Sequence, residues 1–272
     1  MTHWTQACIA IWLTLFSFQL WAAPSTSQPL KVCVGDGSPW PPYTYWQGET
    51  RQQKADTLTG YATDLVLTAL ERNDIAYQLV FMPWARVQHE LARESGRCDL
   101  TWDASYKPER AQYSRFTQPL YSISLGYLYV GAPDTQAQPN LSATQSVCGV
   151  NGYNYAAFGD NPRPRFEANT LQQALRMLEA GRCRFLASEI EPVLGGIRLG
   201  LYQFSRDLAY IALPNPKAFH AQVSRYAPQA NDLVAQIDEY LDSAAQRGEL
   251  QALRAQYFQS VTSQPQPQPT SE

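Results

Sequence analysis

The chain has 272 residues, 44% of them hydrophobic, with a formal net charge of −3, five cysteines and three histidines. That balance supplies enough apolar side chain for one large core or two smaller ones, and it gives no basic surface of the kind nucleic acid requires. The histidines His3, His89 and His220 are scattered and no Cys/His spacing suits zinc, so neither a metal nor a cofactor is expected.

Residues 9–23 form an uncharged apolar run that ends in small side chains ahead of Pro24, although no Lys or Arg precedes it. The run is shorter than the ~20 residues of a membrane span and has the length of a secretory core, so residues 1–23 read as a signal peptide. The expected location is the periplasm, where the four remaining cysteines are free to pair. Residues 30–35 then read as a buried strand, followed by a loop of Pro, Gly and aromatic residues. Residues 60–72 place Ala62, Leu65, Val66, Ala69 and Leu70 on one helical face. A strand at 77–81, a helix at 84–94 and a strand at 98–102 complete an alternation that implies parallel βαβ units. The same alternation recurs as a strand at 147–150, a helix at 170–180 with Leu171, Ala174, Leu175 and Leu178 inward, and a strand at 183–187. Two amphipathic helices, 233–247 and 249–258, flank Gly248, and the Pro/Gln-rich residues 260–272 read as disordered.

The tripeptide Gly-Arg-Cys occurs twice, at 96–98 and 181–183, each time after a helix and before a strand. Each copy has an upstream strand carrying its own cysteine, Cys33 in one case and Cys148 in the other. The duplication implies two similarly built α/β lobes and hence a cleft. Four cysteines allow three connectivities, and pairing Cys33 with Cys98 and Cys148 with Cys183 keeps each bridge within one lobe.

The order of features carries a resemblance. A strand, the Pro41-Pro42-Tyr43 loop, the helix start Gly60-Tyr61-x-x-Asp64-Leu65, then Pro108-Glu109-Arg110 and Phe116-Thr117-Gln118-Pro119-Leu120-Tyr121 follow in sequence. This arrangement resembles the family 3 extracytoplasmic solute-binding proteins, the periplasmic receptors for polar amino acids that serve ABC importers, over about residues 29–259. The resemblance implies a two-lobed α/β fold of the type II periplasmic-binding-protein kind, each lobe a mainly parallel sheet flanked by helices. Lobe 1 would comprise 29–125 and 222–259, lobe 2 would comprise 126–221, and the crossings would lie near 124–130 and 217–225. It further implies a monomer that encloses a small polar ligand, amino-acid-like or cationic, and presents it to an ABC permease at the inner membrane.

Carried over by residue, the resemblance assigns Arg110 and Ser105 to a ligand carboxylate, for which a guanidinium fork is chemically suited. Trp40 and Trp84 match the rings around the ligand side chain, Gly152-Tyr153-Asn154-Tyr155 matches a glycine-led turn that meets the ligand, and Glu189 matches an acid that takes an ammonium. Plainer roles stand beside these: pairing with Glu109 for Arg110, a helix N-cap for Ser105, a core position for Trp84, an exposed capping acid for Glu189, and either the cleft or a solvated helix face for Arg86. Asp103 departs from the pattern, since it stands where a Ser, Thr or Gly is usual, and a carboxylate close to Arg110 would neutralise it. Two acids also keep open a cationic ligand, or an enzyme of the same fold in which Asp103 and Glu189 do acid/base work. A ligand sensor acting through a separate membrane partner is the remaining alternative, and no catalytic residue is expected.

Overall fold

The computed structural model describes residues 28–131 and 146–262, the last four as backbone only. The expected signal peptide and nearly all of the expected disordered tail lie outside these residues. Among the described residues, β1 (Leu30–Gly35), β2 (Tyr77–Met82), β3 (Leu100–Ala104), β4 (Ser114–Ile123) and β10 (Lys217–Ser224) build one sheet, in the order β2-β1-β3-β10-β4. A second sheet contains β5 (Leu125–Val130), β6 (Val147–Val150), β7 (Phe166–Ala168), β8 (Phe185–Glu189) and β9 (Leu208–Ala212), in the order β7-β6-β8-β5-β9.

The internal duplication is visible in the pairing. β1 runs parallel to both β2 and β3, and β6 runs parallel to both β7 and β8. The strands that carry the chain between lobes pair antiparallel instead: β10 with β3 and β4, and β5 with β8 and β9. Each parallel trio is stapled by one disulfide, Cys33–Cys98 and Cys148–Cys183, with Cα atoms 5.6 and 5.8 Å apart. The two Gly-Arg-Cys copies need their glycine for different reasons. A Cβ on Gly96 would stand 1.9 Å from the carbonyl oxygen of Glu90, whereas Gly181 turns the chain out of a helix at φ +69°.

Helices cover these sheets as their apolar periodicity demands. The predicted inward faces are buried in α2 (Tyr61–Arg72) and in α5 (Leu171–Glu179). Three helices went unread in the sequence or were glimpsed only at their starts, α1 (Arg51–Asp56), α4 (Pro108–Tyr113) and α6 (Ile190–Arg198), and α3 (Trp84–Leu91) is shorter than the expected 84–94. At the C-terminus, α7 (Ala230–Gln246) and α8 (Glu249–Thr262) meet at Gly248, whose φ is +75°. The helix α8 continues past residue 260, where disorder was expected, because its first helix breaker is Pro265.

The lobe crossings are shorter than the resemblance implied. β4 ends at Ile123 and β5 begins at Leu125, so Ser124 alone joins the two sheets there. Its backbone N–H donates to both carboxylate oxygens of Glu191, at 3.1 and 3.0 Å. The return crossing is residues 213–216, a Leu-Pro-Asn-Pro stretch whose two prolines fix φ. Residues 217–224, expected in part as lobe 2 and as the crossing itself, are β10 and belong to the first sheet. The hydrogen-bonding partners of this segment are non-local and could not be read from the sequence.

Each disulfide closes a long loop, with sequence separations of 65 and 35 residues. Removing Cys33–Cys98 as a double Ala variant is expected to destabilise the folded state by about 4 kcal/mol and to lower the melting temperature by about 10 °C. Thermal denaturation by circular dichroism checks this, and an unchanged midpoint would count against the bridge as a structural staple.

Candidate functional site

The crossing geometry sets the C-terminal ends of β1, β3 and β8 and the start of β10 around one cavity of about 350 Å³. Its lining includes all eight residues singled out in the sequence: Trp40, Trp84, Asp103, Ser105 and Arg110 from lobe 1, and Tyr153, Asn154 and Glu189 from lobe 2. Such a volume lies within the range of small-molecule sites.

Arg110 sits in α4, after Pro108 at the first helical turn, and is only 6% exposed. Its Nη1 donates to the carbonyl oxygen of Ser105 at 2.9 Å and to Ser105 Oγ at 3.4 Å, and Nη2 donates to the carbonyl of Gly152 across the cleft at 3.4 Å. The guanidinium also stands over the Trp84 ring, 5.5 Å from its centroid. Burial pulls the Arg110 pKa down, and Glu189 is among the groups that oppose the fall. Among the described residues Arg110 forms no ion pair with Glu109, and the N-cap of α4 is Lys107, so Ser105 is not that cap. Arg86 points elsewhere, its half-exposed side chain pairing at 2.6 Å with the buried carboxylate of Glu90 one turn along α3.

From lobe 2, Gly152 turns at φ +80°, a conformation a side chain would strain, and brings Asn154 against lobe 1. Asn154 Nδ2 donates to Ser105 Oγ at 3.1 Å and to the Tyr106 carbonyl at 3.0 Å. Further bonds close the same seam, from Leu171 N–H to Ser38 Oγ at 2.9 Å and from the Tyr202 hydroxyl to the Pro39 carbonyl. The ring of Trp40 meets Tyr153 edge-on at 5.5 Å.

Asp103 does not neutralise Arg110. Between Thr101 and Ala104 the strand β3 bulges against β10, and Asp103 takes a left-handed φ of +58°, which re-aims its side chain. There its carboxyl accepts a 2.7 Å hydrogen bond from the Tyr121 hydroxyl. The Tyr121 ring is itself stacked between Tyr43, 3.8 Å away, and Phe219, 5.1 Å away. Tyr43 is thus a packing residue. Asp103 is walled by protein and keeps a partial opening to the cavity; burial pushes its pKa up to about 7 against the pull of hydrogen bonds from Thr44 and Tyr121.

The residue sequence reasoning missed is Lys217, the first of β10, which is 6% exposed. Its Nζ donates to Glu189 Oε1 at 2.5 Å and to the carbonyl of Asn154 at 2.8 Å. Burial draws the ammonium below its ordinary pKa while Glu189 opposes that shift. Glu189 is therefore not an exposed cap. It is 2% exposed, one oxygen is paired, and Oε2 has no hydrogen-bond partner among the described residues. The only signal for Lys217 was a lone cation opening an apolar alternating run directly after Pro214-Asn215-Pro216.

Two α/β lobes closed over a charged, ring-lined cavity and joined by two short crossings define a two-lobed solute-binding protein. Residues 31–260 match the family model of the bacterial extracellular solute-binding proteins, family 3, and the chain belongs to that family. Among solved structures, a mutant of ArgBP from T. maritima is 15% identical, with a TM-score of 0.66 over 85% of this chain and 95% of that one. The arginine-, lysine-, histidine-binding protein ArtJ from Geobacillus stearothermophilus is 16% identical, with a TM-score of 0.66 over 88% and 97%. A histidine kinase sensor domain with similarity to periplasmic binding proteins is 21% identical, with a TM-score of 0.63 over 85% and 96%. These likenesses are of fold. No curated protein matches the chain in sequence. Among the described residues no helix is long and apolar enough to cross a membrane.

The elevated Asp103 pKa has a signed consequence for stability. The folded carboxyl holds its proton to about pH 7 while the unfolded one ionises near 3.8, so the ionisation penalty is absent below 3.8 and complete above about 7. Asn keeps an acceptor for Tyr121 and tolerates a left-handed φ. Asp103→Asn is expected to melt several degrees above wild type at pH 8, with the gain vanishing toward pH 4. A pH-independent gain would contradict the assignment.

Proposed function

We propose that the protein is a periplasmic receptor that shuts its two lobes around a small polar, amino-acid-like metabolite and delivers it to an ABC-type permease in the inner membrane. The observation that carries this reading is the meeting of Arg110 and Ser105 from one lobe with Asn154 and Glu189 from the other in a single cavity. A ligand that touches both sides favours the closed state, which is the differential contact hinge closure requires.

In this reading the donors of Arg110 and the Ser105 hydroxyl take a carboxylate, while Trp40, Trp84 and Tyr153 enclose the body of the ligand. Asn154 ties closure to that carboxylate site through its bond to Ser105. The family supplies the importer as partner, and the chain works as a monomer. Micromolar affinity needs about 8 kcal/mol, which a charge-assisted fork plus ring contacts can reach. Lys217 already balances the charge of Glu189 and Asp103 is turned to Tyr121, which favours a carboxylate-bearing ligand over a purely cationic one.

Binding and release without chemical change is part of the proposal. One observation keeps an enzyme in view: a carboxyl at the cavity wall that changes protonation near neutrality is suited to acid/base work. Calorimetry with small carboxylates and amino acids, followed by product analysis of the same mixtures, separates the two. Arg110→Ala is expected to weaken the best ligand by about 100-fold, and Arg110→Lys to recover only part of it because a point charge replaces the planar fork. Unaltered affinity in Arg110→Ala, or steady conversion of the solute, would overturn the reading.

A further inference from the structure

We infer that the cleft is built for a monocarboxylate bearing a neutral hydrogen-bond donor, of the 2-hydroxy acid kind, and that Lys217 Nζ occupies from within the protein the place a free α-amino group would take on Glu189. The inference rests on the receptor reading above and narrows its ligand class.

An ammonium has three N–H donors and no acceptor. Two of those on Lys217 are spent on Glu189 Oε1 and the Asn154 carbonyl, and the charge also lies 5.1 Å from the centroid of the Phe219 ring. The cation is therefore satisfied by the protein alone, and it is held on the very carboxylate that would receive a ligand ammonium. What remains is Glu189 Oε2, buried, without a partner among the described residues, on a side chain that lines the cavity. A second ammonium on that oxygen would crowd two cations around one buried carboxylate, where Arg110 already acts unfavourably on Lys217. A hydroxyl satisfies the same lone acceptor without adding charge, and leaving the acceptor empty carries a desolvation cost.

Charge balance points the same way. Arg110 and Lys217 bring two positive charges to the cavity and Glu189 brings one negative charge, so one ligand carboxylate completes the balance. Asp103, the other acid on the wall, is turned toward Tyr121 and holds its proton to about pH 7. Among the remaining lining residues the rings of Trp40, Trp84, Trp102, Tyr153 and Phe219 suit an aromatic or branched body.

The test is isothermal titration of the mature chain at pH 6 with two matched sets: 3-phenyllactate, phenylalanine, 3-phenylpropionate and phenethylamine, and 2-hydroxy-4-methylpentanoate with leucine. The hydroxy acid is expected to bind about tenfold tighter than the amino acid of the same body, tighter also than the acid lacking the hydroxyl, with the amine silent. Lys217→Gln frees Glu189 and is expected to move the ratio about tenfold toward the amino acid. An amino acid that equals or beats its hydroxy counterpart in the wild type overturns the inference, as does a folded Lys217→Gln with an unmoved ratio. If that variant fails to fold, the wild-type ranking decides alone. An amino acid that wins and is lost in Arg110→Ala leaves the receptor reading standing while this inference falls. Saturable binding by no member of either set removes both.

Discussion

The chain passes between its two sheets twice, once through Ser124 alone and once through residues 213–216. Everything at the site depends on that constraint. With so little chain between β4 and β5 and between β9 and β10, the lobes cannot drift apart, and the strand ends that carry Asp103, Glu189 and Lys217 must face a common space. Hinge motion is then confined to a few residues. One of them is braced by Glu191, which accepts the Ser124 N–H, and the other carries Pro214 and Pro216.

In a buried cleft charges are screened less than in bulk water, so they are best matched at short range. The protein handles this unevenly. Glu189 is matched by Lys217, and Asp103 is steered by a backbone bulge toward a hydroxyl held in a three-ring stack. Arg110 alone spends its donors on neutral oxygens of Ser105 and Gly152. The imbalance is a property of the closed form, since the Gly152 carbonyl and the Lys217–Glu189 pair both span the two lobes.

The repeat of strand, helix and Gly-Arg-Cys was legible because local periodicity and cysteine placement report on elements and staples directly. The burial of Leu65, Val66 and Leu175 followed from helical spacing. The antiparallel strands β4, β5, β9 and β10 were obscure because their partners lie far away in sequence, and the crossings were consequently drawn one strand too long. Of the site, the eight residues brought by family resemblance do share a cavity, while the short α4 and its uncapped start left the role of Ser105 open on sequence grounds.

By itself the sequence determined two stapled α/β lobes, the identity of the rings and charges available to a cleft, and the position of Arg110 one residue after Pro108-Glu109. Only the tertiary structure decided how those charges are spent: that Asp103 turns to Tyr121 through a bulge opposite β10, and that Lys217, 28 residues beyond Glu189, is its partner. Periodicity encodes which side of an element is buried. Which buried charge meets which is fixed by strand pairing between distant segments, and no local pattern in the chain records that.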